Sequence, residues 1–372
     1  MKLGDVATYV NGYAFKPSDY SADGLPIIRI QNLTGNVYET NRFSGTLPEK
    51  FKVANGDILI SWSASLGVYR WSHGDAWLNQ HIFKVVFDKL PVNVDFFVYQ
   101  AGYLIENSAN LAHGATMRHL TKKVFDSRPF YYPSSAIQAR IARNLASIDV
   151  LLGSLRCQLS TLDDLVKSQF VEMFGDPCEP SPCSFPRVAL KEVCELRTGP
   201  FGSALHKEDY VPGCHPLVNP SHVVDCQIVI DNNLTVDDDT YDSMKPYHLH
   251  IGDVVLGRRG EIGRCAVVSA EGLLCGTGCM IVRPNGNACR SDYLQRVFSF
   301  PSFASALERE AVGVTMKNLN AKIVGNAVIA MPPLALQQQF ADFVARVDKL
   351  GFGIWLACKS LHEPITHFYH QI

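Results

Sequence analysis

The clearest candidates for recognition chemistry lie in RIQN, residues 29–32, which follow a short apolar run. Arg29, Gln31 and Asn32 carry guanidinium and amide groups, and such groups pair bidentately with the edges of guanine and adenine. An apolar run followed by polar residues is typical of a strand that ends in a loop. We therefore take these three side chains as candidates for contacts to bases.

A second pair of candidate loops stands at equivalent places in the chain and carries different side chains. SWSAS (61–65) offers hydroxyl groups, and GRRGE (257–261) stands at the matching place after a similar strand. Equivalent loops of different charge are expected if two related domains recognise different targets. For any one of these side chains the alternative is a solvated loop or a hydrogen bond within a turn. The candidates in these loops are Ser63, Arg258, Arg259 and Glu261.

The common motifs of catalysis are absent from the sequence. It contains no GxGxxG, no GxxxxGK[ST], no HExxH and no GxSxG. Asn219 and Pro220 begin like the tetrapeptide of amino-methyltransferases, but the second proline and the aromatic residue are missing. Cys275 and Cys279 have no second pair that would complete a zinc site, so we expect small buried thiols. We predict no catalytic residues and no metal.

Length and composition indicate a folded protein of two domains. The chain has 372 residues, which is more than a single hydrophobic core usually organises. Of these residues 47% are hydrophobic and 19% charged, a composition typical of globular proteins. A formal net charge of -2 neither indicates nor excludes a nucleic-acid partner. No apolar run is long enough for a membrane span, the start lacks a signal peptide, and the 11 cysteines include no CxxC spacing. We expect reduced thiols and a cytoplasmic location.

The sequence is a tandem duplication. AHGATMRHLT (112–121) and AVGVTMKNLN (311–320) share five of ten residues at an offset of 199. Three more blocks recur in the same order: LGDVATYVNG with LKEVCELRTG, NGDILISWSASLGVYR with IGDVVLGRRGEIGRCA, and PSSAIQARIARNLASID with PPLALQQQFADFVARVD. Each copy combines short β-branched runs with a helix or two. We predict two related mixed α/β domains, over 1–133 and 188–332.

A long helix is predicted to follow the first domain, over 134–174. Apolar residues recur there at alternating steps of four and three, a strict heptad seam that indicates a coiled-coil partner. GDP ends the helix, and a proline-rich linker occupies 175–187. The seam residues are Ile141, Leu145, Ile148, Leu152, Leu155, Leu159, Leu162 and Val166.

The second copy provides the partner helix, predicted over 333–372. Its apolar seam continues in the same phase. Gly351, Gly353 and Pro364 are poor residues for a helix interior, so we predict an irregular helix after residue 350. The seam residues are Phe340, Val344 and Val347.

Taken in order, these blocks resemble the specificity subunit of a type I restriction-modification system over essentially the whole chain. The resemblance rests on the LxxV start of each half, on GYAFKPSDY (12–20) and GPFGSALHKEDY (199–210), on the GDIL or GDVV strand, on the G-x-T-M-[RK]-x-L block, and on SQFVEMFGDP (168–177). It implies an α+β fold class: two homologous mixed α/β target-recognition domains separated by two long helices that form an antiparallel coiled coil, with an internal pseudo-two-fold.

The resemblance also implies a function and partners. Each domain would read one half of a split sequence in double-stranded DNA, and the helices would fix the distance between the halves. They would also dock two methylation subunits, which carry S-adenosylmethionine, while restriction subunits that use ATP and Mg would join the full complex. This chain would be a non-catalytic subunit without a cofactor. The alternatives are an orphan or truncated specificity protein, and an enzyme whose site is not recognised.

Residues near the matching blocks complete the set of DNA-binding candidates. Those in the loop after the first glycine of each half are expected to touch phosphates, and those in the G-x-T-M block to reach DNA from a structural junction. The loop residues are Tyr13, Phe15, Lys16, His206 and Lys207, and the block residues are Arg118, Lys317 and Asn318.

Overall fold

The chain divides into two compact units in the computed structural model: Met1–Cys157 with Trp355–Ile372, and Gln158–Ile354. Each unit combines one copy of the duplicated domain with part of each long helix. The structure describes residues 1–35, 40–63, 65–111, 122–179, 185–200, 205, 209–260, 262–313 and 317–370, with the backbone only for 106–111 and 362–370.

The first copy and the long helix that follows it contain eight strands and five helices among the described residues. They are α1 (Leu3–Val6), β1 (Thr8–Asn11), β2 (Leu25–Ile28), α2 (Ile30–Leu33), β3 (Arg42–Phe43), β4 (Lys52–Val53), β5 (Ile58–Ser61), β6 (Gly67–Arg70), β7 (Ala76–Leu78), β8 (Ile82–Val86), α3 (Val94–Leu111), α4 (Lys122–Asp126) and α5 (Ser135–Phe174).

Two four-stranded sheets form the first domain. One is antiparallel with the order β1-β8-β5-β6, and the other is mixed with the order β3-β2-β7-β4, in which β2 and β7 run parallel. Successive side chains of a strand point to opposite faces, and β5 is buried on both. Ile58 and Ile60 pack in a core with residues of α3, and Leu59 packs in another with residues of the mixed sheet. The antiparallel sheet is therefore the middle of three layers.

The second copy and its long helix contain twelve strands and six helices among the described residues. They are β9 (Arg187–Ala189), α6 (Leu190–Val193), β10 (Cys194–Thr198), β11 (Tyr210–Val218), β12 (Val223–Val224), β13 (Gln227–Ile228), β14 (Thr235–Val236), α7 (Asp238–Ser243), β15 (His248–Leu249), β16 (Val254–Gly257), β17 (Cys265–Val267), β18 (Leu273–Cys275), β19 (Cys279–Pro284), α8 (Ser291–Ser299), α9 (Pro301–Glu310), α10 (Ala321–Asn326), β20 (Val328–Ala330) and α11 (Leu334–His370).

The second domain repeats the sheets of the first strand for strand. Its antiparallel sheet has the order β10-β19-β16-β17, and its mixed sheet has the order β14-β11-β18-β15, with β11 and β18 parallel. The ribbon of β12 and β13 has no counterpart among the described residues of the first domain. The fold class predicted from the duplicated sequence is confirmed.

A buried glutamine near the start of each long helix ties that helix to its domain. Gln138 is 1% exposed; its side-chain oxygen accepts a hydrogen bond from the Asn93 N–H at 2.9 Å, and its nitrogen donates to the Pro133 carbonyl at 2.9 Å. Gln337 is 0% exposed and repeats both contacts: its side-chain oxygen accepts from the Arg290 N–H at 2.9 Å, and its nitrogen donates to the Pro332 carbonyl at 2.8 Å. Asn93 and Arg290 precede α3 and α8, so each glutamine pairs with a backbone N–H near the start of another helix.

The predicted seams of the long helices are covered. The eight seam residues of α5, from Ile141 to Val166, are all buried or half-buried, and the residues between them are mostly exposed. In α11, Phe340 and Val347 are buried and Val344 is half-buried. The 3.5-residue spacing read from the sequence therefore marks the packed side of each helix.

Within the second unit α5 and α11 pack antiparallel. The ring centroids of Phe170 and Phe340 lie 5.5 Å apart. Further along α11, a methyl group added at Gly351 would lie 3.8 Å from carbons of Leu159 and Leu162, which precede Phe170 in α5. The later part of one helix thus contacts the earlier part of the other, as the antiparallel coiled coil requires.

The irregularity predicted after residue 350 is not observed. α11 is one helix from Leu334 to His370, and Gly351, Gly353 and Pro364 lie within it. Gly351 faces the α5 seam, where tertiary packing adds to helix stability. Intrinsic propensity is a weak prior that packing overrides.

Replacement of Gln138 or Gln337 by methionine should destabilise the protein. The change keeps the side-chain size but leaves a buried N–H and a buried carbonyl unpaired, which costs about 1–3 kcal/mol per site. Scanning calorimetry of each variant should show a lower melting temperature than the wild type. The exposed Gln158→Met on α5 is the control and should melt as the wild type does; equal melting of all three variants would contradict the role of the buried amides.

Replacement of Gly351 by alanine should stabilise the protein. An alanine in a helix interior is favoured over glycine by about 1 kcal/mol, and its methyl group would gain an ordinary contact with Leu159 and Leu162 at 3.8 Å. Gly353→Ala is the matched control, since no atom lies within 4 Å of its added methyl. Calorimetry should rank Gly351→Ala above Gly353→Ala and both above the wild type; a lower melting temperature for Gly351→Ala would show that the seam has no room.

Candidate nucleic-acid interface

Two loops of the first domain leave the mixed sheet at one edge. Because β2 and β7 run parallel, their carboxyl ends at Ile28 and Leu78 lie side by side. The loops that follow face each other across a cleft of about 340 Å³, which we call the first-domain cleft. Its lining residues are Arg29, Ile30, Gln31, Asn79, Gln80 and His81.

Arg29 and Gln31 reach this cleft, as side chains that contact a ligand must. The Arg29 guanidinium lies 5.0 Å from the ring centroid of Tyr20 and donates a hydrogen bond to its hydroxyl, so the ring fixes its position. Gln31 is exposed. Asn32 is only 4% exposed, and its side-chain oxygen accepts from the Arg29 N–H at 2.8 Å. Asn32 therefore stabilises the turn, and its burial does not fit the base contact predicted for it.

The facing loop, Asn79 to His81, was not among the sequence candidates. The Gln80 N–H donates to the Tyr13 carbonyl at 3.0 Å, and the Asn79 side-chain oxygen accepts from the His81 N–H at 3.3 Å. The His81 ring lies 5.6 Å from that of Trp62, at the end of β5. The signal was present, because NQH follows the apolar AWL as the polar part of RIQN follows LPII.

The other described candidates of the first domain differ in exposure and in contacts. Tyr13 and Phe15 are in edge contact at 5.0 Å, and Phe15 is buried in an aromatic cluster, which makes it a packing residue. Lys16 is exposed and can meet a phosphate. Ser63 is 5% exposed, and its carbonyl accepts from the Ser61 hydroxyl, so its place does not match the predicted base contact.

In the second domain Arg258 is a structural residue. It is 2% exposed; its Nε donates to the Thr277 carbonyl at 2.9 Å and its guanidinium to the Asn318 side-chain oxygen at 3.1 Å. Burial, with neighbouring Arg259, lowers its pKa. It joins the loops around 277 and 318, so the base contact predicted for Arg258 does not match its burial. Asn318 is half-buried as the partner of this arginine.

Two further second-domain candidates retain solvent access. Arg259 is half-exposed beside Arg258. Lys317 is exposed and pairs with Glu308 at 2.9 Å, a surface ion pair that a phosphate can replace. The candidates Arg118, His206, Lys207 and Glu261 lie outside the described residues.

The equivalent of the first-domain cleft is filled in the second domain. The loop after β18 has no room for a side chain at Gly276 or Gly278, because a Cβ at Gly276 would collide with the side-chain oxygen of Asn219 and one at Gly278 would come within 2.8 Å of Pro220. The loop after β18 thus lies directly on the turn after β11. The two domains present the same strands and different surfaces at this edge.

No metal centre accompanies these surfaces in the described part of the chain. Among those residues no group of three or more histidine, cysteine or acidic side chains could hold a metal ion. Cys275 and Cys279 are buried, and burial raises the pKa of both thiols, that of Cys279 to about 12. None of the described helices is both long and apolar enough to cross a membrane.

Comparison with known proteins connects the fold to a family. A family model described as type I restriction modification DNA specificity domain matches residues 1–156 and 185–354. The chain is 23% identical over 380 residues to the type I restriction enzyme EcoBI specificity subunit of Escherichia coli, covering 94% of this chain and 78% of that protein.

Solved structures agree in fold. The S subunit of a type I restriction-modification system from M. genitalium superposes with a TM-score of 0.52 at 15% identity, covering 99% of this chain and 94% of that one. A chain from a structure on complex assembly and conformational transition of a type I system gives 0.52 at 15% identity, covering 100% and 94%.

The two segments that match the family model contain the two copies of the duplicated domain and cover most of the chain. Specificity subunits of type I systems recognise the DNA target and are non-catalytic. The chain belongs to the type I restriction-modification DNA specificity family, as a non-catalytic specificity subunit.

Proposed function

We propose that the chain reads a bipartite DNA target, with one half-site for each domain. The observation that carries this proposal is the contrast between the two edges: the same strands end in an open cleft in one domain and in a closed glycine loop in the other. Two surfaces of one topology and different chemistry suit two different half-sites. A single continuous target would not need both.

Each edge offers groups that suit DNA. In the first domain Arg29, Gln31 and Gln80 carry donors and acceptors for base edges, and Lys16 is exposed for the phosphate backbone. In the second domain Arg259 and Lys317 supply positive charge at the surface. Phosphate contacts fix the register of a protein on DNA, and base contacts then select the sequence.

The two long helices act as a spacer in this proposal. A helix rises 1.5 Å per residue, so the forty residues of α5 span about 60 Å. The duplication repeats the same junction between domain and helix, with Gln138 in one copy and Gln337 in the other. Repeated junctions suit two identical partners, and we assign them to two methylation subunits.

The chemistry belongs to the partners. The methylation subunits would supply S-adenosylmethionine, and restriction subunits would supply the ATP- and Mg-dependent step, in the cytoplasm with the host DNA. The chain itself would contribute only the recognition of the DNA target. The alternative is an orphan or truncated specificity protein, which would bind DNA without an active complex.

Reconstitution with a methylation subunit from the same genome tests this function. We expect methylated adenines in a target with two defined half-sites and an unspecified spacer, mapped by sequencing of the modified DNA. The chain alone should bind DNA and leave it unmodified in the presence of S-adenosylmethionine. Methylation by the chain alone, or a continuous target, would refute the proposal.

Lengthening both helices by one heptad tests the spacer. Insertion of seven residues after Leu155 and seven after Trp355 keeps each seam in phase and adds about 10 Å of helix. We expect the spacer in the target to lengthen by about three base pairs at 3.4 Å per pair, with both half-sites unchanged. An unchanged spacer length in an assembled, active complex would contradict the role of the helices as a spacer.

A further inference from the structure

We infer that Gln31 and Gln80 are specificity-determining residues, and that each binds the major-groove edge of its own purine, adenine by preference, in the first half-site. This inference rests on the proposed reading of DNA by the first domain and names the ligand chemistry of its cleft. Gln31 lies in the short helix α2 after β2, and Gln80 lies in the loop after β7; the parallel pairing of β2 with β7 brings both to the same cleft.

Both amides are available to a ligand. Gln31 is exposed and Gln80 half-exposed, and within the described part of the chain the Gln31 side chain has no hydrogen-bond partner. The Gln80 side-chain nitrogen lies 3.4 Å from the His81 Nε2, a long contact that a base edge can replace. An amide left without strong internal bonds at a cleft can bond to a ligand without breaking the fold.

The backbone beneath the amides is held in place. The Gln80 N–H donates to the Tyr13 carbonyl at 3.0 Å, and the turn that carries Gln31 is fixed by Asn32 and by Arg29 on the Tyr20 ring. Recognition residues select well when their supporting groups are already positioned. These neighbours therefore hold the backbone from which the two amides project.

The chemistry of an amide favours adenine. Adenine presents an acceptor at N7 and a donor at its 6-amino group, and a glutamine amide offers a donor and an acceptor at the same spacing. Arg29, with donors alone, is suited to guanine or to a phosphate. The cleft thus combines two glutamine amides, which match adenine, with Arg29, which cannot accept the amino proton of adenine.

The second domain lacks this pair. The strand registers place Ser221 where the first domain has Gln31, and Thr277 where it has Gln80. Both replacements are shorter, and the Thr277 carbonyl already accepts from Arg258. A change at Gln31 or Gln80 should therefore alter the first half-site alone, which makes the second half-site an internal control.

The test uses the full complex with its methylation subunit and a series of duplexes carrying each base at every position of the first half-site. Gln31→Ala and Gln80→Ala should each lower the discrimination for adenine over the other bases, at the position that the amide contacts, by about 5- to 150-fold. Gln80→Glu, which accepts and cannot donate, should shift the preference there towards cytosine, whose amino group is a donor. Gln227→Ala, an exposed amide in the ribbon of the second domain, should leave the first half-site unchanged.

The outcomes separate this inference from the function on which it rests. If the wild-type complex shows no pair of half-sites, the proposed function fails. If it shows both half-sites and the three variants at Gln31 and Gln80 keep the wild-type base preference, the inference fails and the proposed function stands. If the nearly isosteric Gln80→Glu abolishes reading of both half-sites, Gln80 has a structural role and the inference is also overturned; a shift confined to one position of the first half-site supports it.

Discussion

Burial of a narrow apolar stripe is the constraint on which the architecture depends. Helical propensity alone stabilises an isolated helix only marginally, so α5 needs cover for its seam over forty residues. In the second unit α11 provides it, and the same hydrophobic core contains Phe170 of α5, Phe340 of α11 and Tyr293 of α8. Phe170 stacks on Tyr293 with centroids 5.8 Å apart. This end of the paired helices is therefore part of the core of a domain.

The two copies keep the contacts that are costly to lose. Gln138 and Gln337 make the same pair of buried hydrogen bonds. Asp57 and Asp253 each accept from a backbone N–H of the preceding turn and from a cation, a lysine at 2.7 Å in one copy and an arginine at 2.7 Å in the other. Buried polar groups without partners are destabilising, so these positions vary only in ways that keep each group paired. The exposed side chains of the loops at the sheet edge carry no such constraint and differ between the copies.

The polar residues that the sequence offers as DNA contacts take different structural roles. RIQN does follow a strand and does reach a cleft, yet Asn32 and Arg258 hold loops together from buried positions. A polar side chain after a strand can either point outwards or bond to the adjacent backbone, and residue type is the same in both cases. The sequence shows a strand followed by polar residues at both Gln31 and Gln80, but it does not show that these two places meet. Only the pairing of β2 with β7 makes them neighbours.

The sequence by itself determined the duplication, the mixed character of each copy and the helical seam, because all three are periodic or repeated patterns along the chain. The tertiary structure decided the rest. It kept α11 helical through Gly351, since packing outweighs local propensity, and it opened a cleft in one domain and filled it in the other. The decisive contacts join residues distant in sequence, and no local pattern records which of two polar side chains will be buried by them.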